Sequence, residues 1–140
     1  MGGAYPGDVY RNSLYLNPGH GNHWMKLQLE GVKSNRAALG ARVKIDLTTP
    51  QGPRSIHRTV TTGGSFWGNP FRIEVGLGQA TAVQRIDVYW PVTGGTQVFT
   101  NAGLDSAYRI REDSDHLYPV ALKTFRFRDP TNAAHVYSHP

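Results

Sequence analysis

The residues best suited to chemistry in this chain are His20 and His23, which stand three apart in His20-Gly21-Asn22-His23. Paired imidazoles can bind a transition metal, but a stable site needs three or four ligands, and neither a third nor a fourth lies nearby in sequence. His23 and Trp24 read instead as the start of a strand, with His23 hydrogen-bonded at its edge. Asp113-Ser114-Asp115-His116 offers oxygen ligands. It lacks the turn glycine and distal glutamate of a calcium loop, so it reads as a solvated turn. No metal and no cofactor is expected.

Covalent catalysis finds equally little footing. The chain has no cysteine, which removes thiol nucleophiles, disulfides and thiolate metal sites together. It has no G-x-S-x-G elbow to expose a serine. Its ten acidic residues mostly alternate with basic ones on candidate strands, as on a solvated sheet face. A catalytic pair of carboxylates is not indicated, and the expectation is a protein that is not an enzyme.

Binding chemistry is better represented. Thr62-Gly63-Gly64-Ser65-Phe66-Trp67-Gly68-Asn69-Pro70 places two large aromatics on a glycine-rich loop. Exposed aromatics act as sugar platforms or protein-docking anchors. Ser65, Phe66, Trp67 and Asn69 are therefore the candidate ligand- or partner-binding residues. The competing reading folds Phe66 and Trp67 back as a lid over one end of the core. The net charge is +5, and eleven of the fifteen basic residues are arginine. That balance permits attraction to acidic glycans or nucleic acid. Arg126 and Arg128, interleaved in Phe125-Arg126-Phe127-Arg128, are the candidate polyanion-binding residues. RNA-binding sheets show more such interleaving, so nucleic acid is not the expected partner.

These loops need a scaffold, and alternation supplies it. Apolar residues recur every second position at Met25-Leu27-Leu29, Ala41-Val43-Ile45-Leu47, Phe71-Ile73-Val75-Leu77 and Ile86-Val88-Trp90. This is the pattern of half-buried strands. Ile56 with Val60, residues 97–100 and residues 107–111 add three more, and Val120 to Arg128 a further one. Sixteen glycines and nine prolines supply turns and leave no room for long helices. Ser34 to Leu39 reads as a tight loop that Gly40 ends. The expectation is an all-β fold, an antiparallel two-sheet β-sandwich of seven to nine strands. Residues 1–11 form a Gly/Pro-rich leader, 12–112 the sandwich and 113–140 a tail. No apolar run approaches the roughly 20 residues of a membrane span, and Met1 to Gly7 lacks the features of a signal peptide.

Five segments in order resemble the ASPIC/UnbV domain of the cartilage acidic protein family and its bacterial relatives. They are Asn22-His23-Trp24-Met25; Gly31 with Ser34-Asn35-Arg36 and Leu39-Gly40-Ala41-Arg42-Val43; Gly63-Gly64-Ser65; Gly76-Leu77-Gly78; and Val88-Tyr89-Trp90-Pro91. The resemblance implies a sandwich-like domain in a secreted, periplasmic or cell-surface protein, following an FG-GAP or VCBS-type β-propeller. Arg11 to Asn17 is similar to the closing strand of such a repeat. The chain is then a C-terminal fragment, or a shortened relative without its propeller. No calcium site and no catalytic residue carries over. Pro91-Val92-Thr93-Gly94-Gly95 is longer than the family's usual turn at that point. The expected function is extracellular attachment to a protein partner, another subunit or a glycan, with polyanion binding as the alternative. Gly40, Gly76 and Gly78 are expected at backbone conformations or close approaches that a side chain would block.

Overall fold

A computed structural model of the chain describes residues 18–63 and 68–123. The described residues contain eight strands and no helix. They are β1 (His23–Glu30), β2 (Arg42–Thr49), β3 (Gly52–Thr59), β4 (Arg72–Gly78), β5 (Ala82–Tyr89), β6 (Thr96–Phe99), β7 (Ser106–Arg111) and β8 (Leu117–Pro119). Two four-stranded sheets form, in the orders β4-β1-β7-β8 and β3-β2-β5-β6. The all-β sandwich expected from alternation is the fold observed.

One pairing departs from the antiparallel expectation. β1 and β7 run parallel, from Met25 opposite Ser106 to Glu30 opposite Arg111. All other strand pairs are antiparallel. Alternation reports which face a residue takes but not the direction of its neighbour, so the sequence held no signal for this.

The core lies between the sheets. Met25, Leu27 and Leu29 of β1 meet Val43, Ile45 and Leu47 of β2, and Ile86 and Val88 of β5, all at most 3% exposed. Burying each such side chain contributes about 1.5–3 kcal/mol. β5 carries a bulge: Asp46 faces Arg85 while Leu47 faces Val83. The extra residue lets both Val83 and Ile86 point inward, three positions apart. Simple alternation therefore finds this strand only from Ile86 onward. Phe71 is a second departure: it precedes β4 and is 46% exposed rather than continuing the buried series. The strand expected from Val120 is also displaced. β8 is Leu117–Pro119, residues 120–123 lie outside any strand, and 124–140 are beyond the described residues.

The free edges are β3 and β4 on one side, β6 and β8 on the other. Pro53 removes a donor from the β3 edge, and Arg54 and Arg58 stand on the same side of β3 as buried Ile56. Inward charges and a proline discourage edge-to-edge pairing with another chain.

At one end the two sheets are tied by a buried carboxylate. Glu112, 1% exposed, follows β7. Its Oε2 accepts the backbone N–H groups of Val32, Lys33 and Ser34 at 2.7, 2.8 and 2.7 Å. Its Oε1 accepts the Ser34 hydroxyl at 2.9 Å and the Thr93 hydroxyl at 3.3 Å. Thr93 sits in the turn between β5 and β6, so one side chain holds both sheets. Gln97 of β6 reinforces the tie, accepting from the Trp90 indole N–H and donating to the Arg111 carbonyl at 3.1 Å.

Burial pushes the Glu112 carboxyl upward, but the amides of Ser34, Val32 and Lys33 and the Ser34 hydroxyl outweigh it. Together they hold its pKa at about 2, against an ordinary 4.5. A group lowered on folding stabilises the protein above its ordinary pKa, and that contribution is lost as pH falls through the folded value. On the order of 3 kcal/mol should therefore disappear between pH 4.5 and 2. Glu112→Gln should cost roughly 2–3 kcal/mol at pH 7, because an amide N–H replaces an acceptor amid donors. Urea melts of both proteins across that pH range check this: the variant's stability should fall less with acid than the parent's.

Candidate functional site

The same clip shapes a candidate surface. Because Glu112 gathers three successive amides, residues 31–36 curl tightly. The curl leaves no space at Gly31, where a β-carbon would collide with the carbonyls of Asn35 and Ser34. Gly31 N–H donates to the Arg36 carbonyl at 3.2 Å, closing the curl. The Asn35 side chain then mimics backbone. Its Oδ1 accepts the Leu39 N–H at 2.8 Å and its Nδ2 donates to the Leu39 carbonyl at 3.0 Å. Gly40 follows at φ +85°, a left-handed conformation that suits glycine. The tight loop expected over Ser34 to Leu39 is present.

Arg36 projects from this loop toward the outer face of the first sheet. There it meets a row that crosses all four strands. Arg72 of β4 stands opposite Gln28 of β1, Gln28 opposite Arg109 of β7, and Arg109 opposite Tyr118 of β8. Arg36, Arg72, Arg109, Gln28, Glu30 and Phe71 line an open groove of about 570 Å³. The Arg109 guanidinium stacks 5.3 Å from the Tyr118 ring centre. Arg72 bonds the Glu74 carboxylate, which also lies 3.4 Å from Lys26 Nζ. Arg72 lowers the Glu74 pKa by hydrogen bonding, opposed in part by burial. The guanidinium of Arg36 has no hydrogen-bond or ion-pair partner among the described residues.

A second constellation lies at the other end of β1. His23 Nδ1 is 2.7 Å from Asp105 Oδ2, and Asp105 Oδ1 accepts the Trp24 N–H at 3.1 Å. The hydrogen bond with His23 lowers the Asp105 pKa, with burial opposing and the Trp24 amide assisting. The pair resembles the base and orienting acid of a triad. No hydroxyl among the described residues bonds the imidazole. The dyad instead joins the start of β1 to the turn entering β7, as the edge-bonded His23 expected from sequence would.

The residues singled out from sequence are placed as follows. His20 sits at φ 50° in a turn, and no group of three metal-ligating side chains occurs among the described residues. Asp113 and Lys33 form an ion pair at 3.4 Å, and Asp113 belongs to the turn between β7 and β8. Asn69 ties the loop base: its N–H donates to the Thr62 carbonyl at 3.3 Å, and its side-chain amide donates to the Gly63 carbonyl. Ser65, Phe66, Trp67, Arg126 and Arg128 lie outside the described residues. Pro70 and Phe71, just past Asn69, line the groove, so the base of the 62–70 loop opens beside it. Gly78 has the expected positive φ of 63°, but Gly76 has an ordinary φ and open space above it. Sequence reasoning missed the groove itself. Its residues come from four separate elements, and only strand register brings them together.

The fold is a two-sheet β-sandwich that carries an arginine-lined groove on the outer face of its first sheet. Comparison with protein families matches residues 31–117 to ASPIC and UnbV, and the chain belongs to that family. The match spans β2 to β7 and stops at the first residue of β8, leaving out β1, the central strand of the groove's sheet. No curated protein matches the chain.

The loop separates support from contact. Asn35→Ala should lower stability by about 1–2 kcal/mol, since two hydrogen bonds that shape the curl are lost. Arg36→Ala, with no partner to lose, should change it by less than about 0.5 kcal/mol. Thermal melts of the two single variants test the distinction.

Proposed function

We propose that this domain is a non-catalytic attachment module of an extracellular, periplasmic or cell-surface protein, and that it makes contact through the outer groove of its first sheet. The observation that carries the reading is the convergence of Arg36, Arg72 and Arg109 on one groove beside an exposed Phe71. Arginine and aromatic side chains dominate the energetics of binding surfaces because they combine a rigid apolar face with directional donors. A guanidinium with no described partner, held on a loop fixed by a buried carboxylate, is organised before a ligand arrives. Pro70, in the described base of the 62–70 loop, lines the groove, which supports extending the contact surface to Phe66 and Trp67.

Polyanion binding through arginines becomes part of the same reading, with the groove arginines as its carriers alongside Arg126 and Arg128, which lie outside the described residues. Arg42, on the outer face of the second sheet, is a suitable contrast. Its guanidinium lies 4.4 Å from the Tyr89 ring centre, away from the groove. Beads coated with the domain should adhere to cells or secreted matrix. Arg36→Ser with Arg109→Ser should reduce retention at least about tenfold, equivalent to about 1.4 kcal/mol. Arg42→Ser with Arg85→Ser removes the same charge on the outer face of the second sheet and should leave retention within about twofold, a difference of about 0.4 kcal/mol. Equal loss in both pairs, or in neither, overturns the assignment of the face.

A further inference from the structure

Resting on that reading, we infer that the groove takes an acidic polysaccharide in which charged and neutral sugars alternate. The argument begins with spacing. Arg72 and Arg109 flank Gln28 on neighbouring strands, so their backbones stand two interstrand steps apart, roughly 10 Å. That is about the length of a disaccharide. A chain carrying one carboxylate or sulfate on every second sugar can present one anion to Arg109 and the next to Arg72, whose Nε and Nη2 bond Glu74 and whose Nη1 is left to donate. The planar fork of arginine suits both groups, because each offers paired oxygens.

What lies between the arginines fits the neutral sugar. Gln28 carries both a donor and an acceptor for hydroxyls, and the Glu30 carboxylate is an acceptor. Both line the groove. Phe71, 46% exposed at the rim, offers a flat apolar face to the C–H surface of a sugar ring. Arg36 supplies a third cation beyond the row.

The same carboxylates argue against a phosphodiester chain. Nucleic acid and polyphosphate present closely and continuously spaced charge, and binding them favours an uninterrupted basic track. Here Glu30 lies within the groove and Glu74 offsets part of the Arg72 charge, so the basic track is interrupted: Glu30 would repel a densely charged chain where it accepts a hydroxyl from a neutral sugar. The groove also lacks the succession of exposed aromatics on which single-stranded bases stack.

Calorimetric titration tests the ligand class with defined probes. They are an octasaccharide alternating uronate with a neutral sugar, a neutral octasaccharide, a polyphosphate of eight units and oligodeoxythymidine of eight nucleotides. The alternating octasaccharide should bind most tightly, with a log–log salt slope of about −2 to −3 as the arginines displace counterions. Arg109→Ser and Arg36→Ser should each weaken it at least fivefold. Phe71→Ser should weaken it with no change in salt slope, which separates stacking from charge. Equal or tighter binding of polyphosphate or oligodeoxythymidine overturns the inference, as does equal binding of the neutral octasaccharide. Binding of none of the four also overturns it. In that event arginine-dependent retention on cells would leave the attachment face standing with a different ligand, and its loss would remove both.

Discussion

The Glu112 carboxylate is the constraint on which the rest of the molecule turns. Five hydrogen bonds converge on its two oxygens, three of them from consecutive backbone amides. An acid with so little exposure is tolerable only because nearly all its lone-pair sites are filled by donors. Filling them dictates the path of residues 31–36, joins the β5–β6 turn to the end of β7, and orients Arg36. Scaffold and groove therefore have a common origin. Disturbing the carboxylate would loosen the sheets and misplace the arginine together.

Much of the family signature is explained by this arrangement rather than by ligand contact. Gly31 makes room for two carbonyls, Ser34 and Asn35 satisfy the curl, and Gly40 provides the left-handed exit to β2. Trp90, 1% exposed, fills the end of the core while its indole N–H bonds Gln97. Arg36 is the exception within the motif. Its carbonyl closes the curl, but its guanidinium bonds nothing among the described residues, which separates its side chain from those of its neighbours.

The sandwich was legible because period-two alternation directly reports the partition between core and solvent. Met25-Leu27-Leu29 and Val43-Ile45-Leu47 are buried as alternation requires. The signal faded wherever a local event shifted the phase. The bulge opposite Asp46 hid the first half of β5, and Phe71, reading as part of a buried series, lies outside its strand. Three-residue β8 is too short to alternate. Glu112 itself gave no warning, since a lone glutamate after a strand is ordinarily solvated and its partners lie 78 to 80 positions away. The groove was hidden for a related reason. Arg72, Gln28 and Arg109 are unremarkable in sequence and become a row only once β1 is flanked by β4 and parallel β7.

That parallel pair has a consequence for how the chain comes to be folded at all. β1 is made well before its partner β7, which lies about eighty residues later, as the Asp105–Trp24 bond spanning 81 positions shows. At ribosomal rates of about 5–20 residues per second, roughly 4–16 s separate the synthesis of the two. Throughout that interval Met25, Leu27 and Leu29 have at most one strand beside them. β4 is available sooner and needs no parallel alignment, so the β1–β4 ribbon is the natural shelter for this apolar face while the chain grows. The β1–β4 ribbon must then accept β7 at its other edge as a late arrival, which leaves the apolar face of β1 open to chaperones and proteases until residues 106–111 emerge.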